Sequence, residues 1–171
     1  MQIKLRVNGK SLDFDVEPRL LLVELIRDHV KLKGTNIGCD TTSCGACTVL
    51  INGISAKSCT VLAVQADGCE ITTIEGIGTV EKLHPMQEAF YKHHGLQCGF
   101  CTPGMIMAGI SLATELENPE SDEIRLGIEG NLCRCTGYNN IVEAIKTGLA
   151  EMKQLAKNAN IESHFDRKEI H

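Results

Sequence analysis

At 171 residues, with 43% hydrophobic and 23% charged side chains, the chain has the composition of a globular protein that holds one domain or two small ones, not of a disordered segment. A formal charge of −5 with no basic cluster argues against nucleic acid or an anionic membrane as partner. The opening Met1-Gln2-Ile3-Lys4 alternates polar with apolar residues and does not read as a secretory leader, and no apolar run spans a bilayer, so a soluble cytoplasmic protein is expected. In that reducing compartment nine cysteines point to metal ligation in place of disulfides.

The first segment reads as a β-hairpin. Ile3, Leu5 and Val7 alternate with polar residues, Asn8-Gly9 supplies a two-residue turn, and Leu12, Phe14 and Val16 alternate again. Pro18 precedes a helix expected over Leu20–Val30, with Leu21, Leu22, Leu25 and Ile26 on one face. A loop rich in Gly, Thr and Cys runs from Lys33 to Cys47. Strands follow at Thr48–Ile51 and Ile54–Ser58 around a second turn, Asn52-Gly53, and a last β-rich piece spans Glu70–Ile74. Two hairpins around one helix make a compact α+β unit, closed by a linker over about Glu75–Leu83. Beyond it the periodicity becomes helical: Pro85–His93 before Gly95, Pro103–Leu116 before Asn118-Pro119, Asp122–Ile128 with Ser121 as N-cap, and Asn140 to about Ala156. Four helices with short connections predict a small bundle, and the polar stretch after it predicts a loose or partner-docked tail.

Eight of the cysteines fall into two sets. Cys39, Cys44, Cys47 and Cys59 follow the C-x4-C-x2-C…C spacing of a plant-type [2Fe–2S] site. Three thiolates on one short loop can face a compact anionic cluster only if the backbone curls tightly, which Gly38 and Gly45 permit, and the loop N–H groups can then point at the sulfurs. Cys98, Cys101, Cys133 and Cys135 form a C-x2-C and a C-x-C pair on separate segments, each beside a predicted helix start whose positive end favours thiolate. Spacing alone leaves this second set open between a cluster and a four-thiolate Zn²⁺ site. Cys69 reads as a small core or surface residue, His93-His94 as an exposed helix end, and Gly76-x-Gly78 as linker with no phosphate-loop context. No Ser–His–Asp or paired-carboxylate arrangement is present, so no catalytic residue is assigned.

The residues that carry a resemblance are Gly38-Cys39-Asp40-Thr41-Thr42-Ser43-Cys44-Gly45-Ala46-Cys47-Thr48 with Lys57-Ser58-Cys59-Thr60, then Gln97-Cys98-Gly99-Phe100-Cys101-Thr102-Pro103-Gly104 and Asn131-Leu132-Cys133-Arg134-Cys135-Thr136-Gly137-Tyr138. Together they resemble the iron–sulfur subunits of the xanthine oxidase family of molybdenum hydroxylases, with most likeness to small subunits of carbon monoxide dehydrogenase and of aldehyde (glyceraldehyde-type) oxidoreductases. The likeness covers about residues 1–156 and favours [2Fe–2S] over zinc for the second set.

What the resemblance implies is an α+β chain: a plant-type ferredoxin-like (β-grasp) domain over 1–76, a helical [2Fe–2S]-binding four-helix bundle over 77–157, and a polar tail over 158–171. It implies an electron-transfer subunit between a large subunit with a molybdopterin-type molybdenum cofactor and a medium subunit with FAD, in a heterotrimer or a dimer of heterotrimers oxidising an aldehyde or CO. In that arrangement the cluster on Cys98, Cys101, Cys133 and Cys135 receives electrons first, and the cluster on Cys39, Cys44, Cys47 and Cys59 passes them on. Gln97 and Cys135 match positions that approach the pterin. Two other readings stand beside this one: a free two-cluster ferredoxin, which would not co-purify with larger chains, and a zinc-bound interaction module, which would be colourless.

Overall fold

The computed structural model describes residues 1–165. Its first half is a five-stranded sheet in the order β2-β1-β5-β3-β4. Strand β1 (Gln2–Val7) pairs antiparallel with β2 (Lys10–Asp15), and β3 (Thr48–Ile51) pairs antiparallel with β4 (Ile54–Lys57). Asn8 and Gly9, and again Asn52 and Gly53, all have positive φ, as the Asn-Gly turns require. The two hairpins do not merely flank a helix. Strand β5 (Glu70–Thr72) inserts between them, parallel to β1 and antiparallel to β3, and makes one sheet of the two. It is shorter than its β-rich sequence, because Thr73 leaves the ladder to bond Asn8, its N–H donating to Oδ1 at 2.9 Å.

The helix expected over Leu20–Val30 takes a different form. Leu21 stays extended, and the stretch Leu20–Leu22 bonds to residues 61–63: the Leu22 N–H donates to the Val61 carbonyl and the Ala63 N–H to the Leu20 carbonyl, both at 2.8 Å. Helix α1 therefore begins only at Leu22, makes one turn to Glu24, and widens into a π turn over Leu25–His29. That widening keeps Leu22, Leu25 and Ile26 all fully buried on the sheet beside Leu5, Val49 and Ile71. Burial of each such side chain stabilises the fold by roughly 1.5–3 kcal/mol.

The second half holds α2 (Pro85–Lys92), α3 (Thr102–Glu115), α4 (Ser121–Gly127) and α5 (Asn139–Phe165) around a separate core of Met86, Phe90, Met105, Ile124, Ile141 and Ile145. Ser121 is the first residue of α4 and not its cap. Glu120 takes that position, its N–H held by the Glu123 carboxylate at 2.8 Å. Helix α5 continues past Ala156, so the first part of the expected polar tail over 158–171 is helical, and 166–171 lie outside the described residues. Helix α3 joins the halves: the Ser55 N–H of β4 donates to the buried Ser111 Oγ of α3 at 3.0 Å. Among the described residues no helix is long and apolar enough to cross a membrane.

Candidate iron–sulfur sites

The loop carrying Cys39, Cys44 and Cys47 lies between the π turn and β3, and Cys59 sits in the short 3-10 turn Ser58–Thr60 that follows β4. Arg27 anchors the approach to the loop, its Nη1 donating to the Lys33 and Thr35 carbonyls at 2.9 and 2.6 Å. Thr42 and Gly45 both adopt positive φ, which curls the loop on itself. As a result the Cys44 N–H donates to Cys39 Sγ at 3.4 Å. That N–H first, then the Cys44 thiol and the Thr41 N–H, bring the Cys39 thiol down to about 6. Burial pushes the Cys44 thiol up, against N–H groups of Ala46 and Gly38 that favour its thiolate. Burial also lifts the Cys59 thiol to about 11, followed by its contact with the Cys47 thiol. The four thiols thus act on one another, Cys39 most with Cys44 and Cys59 most with Cys47, with Cys39 and Cys44 also within reach of Cys59.

In the second set Cys135 Sγ and Cys98 Sγ are 3.5 Å apart, and the Cys133 thiol acts on the neighbouring Cys101 thiol. Two pairs recur. Cys101 occupies the N-cap of α3 as its spacing predicts, yet its thiol is pushed up to about 12, because burial outweighs the helix end. Cys133 and Cys135 are not at a helix start. They precede a left-handed turn at Gly137 and Tyr138, and α5 begins beyond it. Burial is the largest single influence on Cys133 and acts to raise its pKa. The net direction is nevertheless downward, because Thr136 donates through Oγ1 at 3.1 Å and N–H at 3.4 Å, joined by the Cys135 N–H. The Cys133 N–H in turn donates to Tyr138 Oη at 2.9 Å. Cys98 and Cys135 are exposed, with Gln97 exposed beside them, whereas Cys47 of the first set is buried.

The two loops touch. The Leu132 N–H donates to the Cys44 carbonyl at 2.8 Å, and Asn131 Nδ2 to the Gly45 carbonyl at 2.9 Å. Gly104 of α3 packs on the Gly45–Ala46 backbone so closely that a Cβ would stand 3.2 Å from the Ala46 Cα and nearer still to the Gly45 carbonyl.

These residues fit two-iron clusters. Each set offers four thiols in two pairs, with N–H and O–H donors already turned onto the sulfurs. Thr102 Oγ1, next to Cys101, is buried with no hydrogen-bond partner, an orphan that a cluster sulfur would satisfy. Among the described residues no three His, Cys, Asp or Glu side chains converge as the ligands of a single metal ion would.

Of the remaining sequence candidates, Cys69 packs half-buried against the sheet core, and His93 Nε2 meets Thr147 Oγ1 at 2.9 Å, away from any thiol. A cleft of about 580 Å³ between the end of α3 and α5 contains no cysteine. Sequence reasoning assigned no role to Lys57, whose Nζ donates to the Thr42 carbonyl at 2.9 Å and brings positive charge to the first loop, nor to Arg27, Asn131, Thr136 or Tyr138. Their position in the cysteine motifs was the only signal for Lys57, Asn131, Thr136 and Tyr138, and Arg27 carried none.

Comparison with known proteins places these sites in context. A family described as "[2Fe-2S] binding domain" matches residues 73–146. The aldehyde oxidoreductase iron–sulfur-binding subunit PaoA of Escherichia coli (strain K12) is 44% identical over 168 residues, covering 90% of this chain and 73% of PaoA. Xanthine dehydrogenase of Drosophila subobscura is 41% identical over 153 residues, 82% of this chain but only 11% of that much longer protein. The crystal structure of quinoline 2-oxidoreductase from Pseudomonas putida 86 superposes with a TM-score of 0.84 at 49% identity, over 88% of this chain and 94% of the matched one.

Proposed function

This chain belongs to the iron–sulfur subunits of the xanthine oxidase family, and on that premise we propose that it carries two [2Fe–2S] clusters and relays electrons from a molybdopterin site on a large subunit to FAD on a medium subunit. It is part of an oxidoreductase and carries no substrate chemistry of its own. Cys39, Cys44, Cys47 and Cys59 hold one cluster on a ferredoxin-like domain over 1–76. Cys98, Cys101, Cys133 and Cys135 hold the other on a four-helix bundle over 77–157, with 158–171 as the tail.

The observation that carries this reading is that the strongest contacts within each thiol set fall into two pairs. A two-iron cluster takes two thiolates on each iron, whereas one Zn²⁺ takes four around a single point. When bound, each cluster supplies storage of one electron at a time. The chain's own residues do the rest. N–H groups of Cys44, Ala46 and Gly38 on the first set, and the Thr136 N–H and hydroxyl on the second, stabilise negative charge on sulfur. The exposed Cys98 and Cys135 give the second set a face toward the large subunit, with Gln97 and Cys135 the residues that meet the pterin. The first set, half-buried except for the fully buried Cys47, passes electrons on to the medium subunit.

The assembly we propose for this role is a heterotrimer or a dimer of such trimers, in the cytoplasm. The substrate, an aldehyde or CO with an N-heterocycle as the alternative, is selected on the large subunit. The identity to PaoA, named as an aldehyde oxidoreductase subunit, speaks for an aldehyde, and the likeness to quinoline 2-oxidoreductase for an N-heterocycle. Purified without air, the chain is expected to hold about four iron atoms and to give two distinct paramagnetic signals on reduction. It should bleach with dithionite yet oxidise neither aldehyde nor CO alone. Colourless zinc-loaded protein, or a single signal, overturns the two-cluster reading.

A further inference from the structure

Asn131 belongs to the second cysteine loop by sequence but bonds to the first. The residue is buried, 7% exposed. Nδ2 donates to the Gly45 carbonyl at 2.9 Å and to Thr48 Oγ1 at 3.2 Å, while Thr48 Oγ1 itself donates to the same Gly45 carbonyl at 2.7 Å. One residue on, the Leu132 N–H takes the Cys44 carbonyl at 2.8 Å. Two successive carbonyls of the first loop, those of Cys44 and Gly45, are therefore held from the second loop.

Peptide planarity gives this clasp a consequence. In a trans peptide the N–H points away from its C=O. Fixing the Cys44 and Gly45 carbonyls toward the second loop turns the Gly45 and Ala46 N–H groups the other way, into the first loop. The Ala46 N–H lies close enough to Cys44 Sγ to favour its thiolate. The geometry leaves no slack. Gly45 has φ +69°, and a Cβ on it would run into the Gly130 carbonyl and stand 2.8 Å from the Asn131 amide.

We infer that Asn131 is a positioning residue for electron relay: from the second cluster loop it sets the amide donors, and hence the reduction potential, of the first cluster. This rests on the two-cluster reading above. Reduction adds negative charge, which N–H donors at the sulfurs stabilise, so loosening the clasp lowers the first cluster's potential. The second cluster has its own donors, Thr136 among them, and none comes from the Asn131 side chain. Its potential is untouched. The transfer itself makes and breaks no bond: one electron oxidises the second cluster by one equivalent and reduces the first by one.

The test is a potentiometric titration of the iron-loaded full chain, followed by electron paramagnetic resonance, for wild type, Asn131→Ala, Asn131→Asp and Asn131→Gln. A Cys39→Ser variant assigns which signal belongs to the first set. Asn131→Asp keeps the shape and removes the donors but adds a negative charge, so its shift counts as hydrogen bonding only where the uncharged Asn131→Ala shifts the same way. The expected result is a downward shift of the first cluster alone in Ala and Asp, with Gln, which keeps the amide, returning it toward wild type. Unchanged potentials in Ala and Asp, or equal shifts of both clusters, overturn the role of Asn131. A wild-type chain without two signals overturns the two-cluster reading instead, so the two failures are distinct.

Discussion

The two cysteine sets reach the same paired arrangement by opposite routes. In the first, three thiols sit within the stretch 39–47 on a loop bent by its own backbone at Thr42 and Gly45, and only Cys59 comes from elsewhere, the turn after β4. In the second, Cys98 and Cys101 end one connection and Cys133 and Cys135 another, and they meet only because α2, α3 and α5 pack around Phe90, Met105 and Ile145. One site is built by local conformation and the other by tertiary packing. A site of the first kind keeps its shape as long as its loop does, and a site of the second kind is as stable as the helical core behind it.

Removing a ligand makes the largest test of that difference. Cys47 is 3% exposed and sits where the loop enters β3, and Cys101 sits at the start of α3. Cys47→Ala is expected to drop iron from about four to about two per chain and to erase only the first set's signal, with Cys101→Ala erasing only the second's. Iron analysis with spectra of the reduced protein decides it. Loss of both signals from either change would mean that the sites assemble as one.

Cavities in the two cores probe the same contrast at lower amplitude. Phe90→Ala in the helical core should cost about 3–5 kcal/mol, and Ile71→Ala in the sheet core about 2–5 kcal/mol. Because the second site depends on helix packing, Phe90→Ala should release its cluster at lower urea than in wild type, while the first site follows the sheet. Visible absorption and resonance signals along a urea titration report the order of loss. If both clusters leave together in both variants, the Ser55–Ser111 bond and the Asn131 clasp bind the halves into one cooperative unit.

The same contrast explains what was legible in the sequence. The first set was readable as an iron–sulfur loop from its spacing, because its geometry is local, and the Asn-Gly turns were readable for the same reason. The second set could be recognised as a metal site but not distinguished from zinc by spacing, because its pairing depends on helices that meet across the fold. Wherever a distant segment decides a local conformation, the sequence reading missed it. Leu20–Leu22 had a helical pattern but pair with residues 61–63, so α1 shrinks. Strand β5 was seen, but not that it would join the two hairpins. A local choice was missed as well: Ser121 has the chemistry of a cap, yet the Glu123 carboxylate takes the Glu120 N–H and moves the helix start by one residue. Arg27 organises the first loop from a helical turn, where an exposed arginine is unremarkable in sequence.

The smallest effect expected is a pH dependence confined to the helical half. His84 caps α2, its Nδ1 accepting the Met86 N–H at 3.2 Å, and burial lowers its pKa below the usual 6.5. A protonated Nδ1 would present a second donor to that N–H, so the fold prefers the neutral ring. The unfolded chain therefore binds the proton more readily. Stability is fully present above about 6.5, declines as pH falls from there toward the lowered folded value, and levels off below it. Asn is a good N-cap acceptor and does not titrate. His84→Asn should thus melt close to wild type above that window and lose less melting temperature than wild type within it. The paired comparison cancels any acid lability of the clusters, which both proteins share. Parallel melting curves across the window would mean that the ring takes up its proton without leaving the cap.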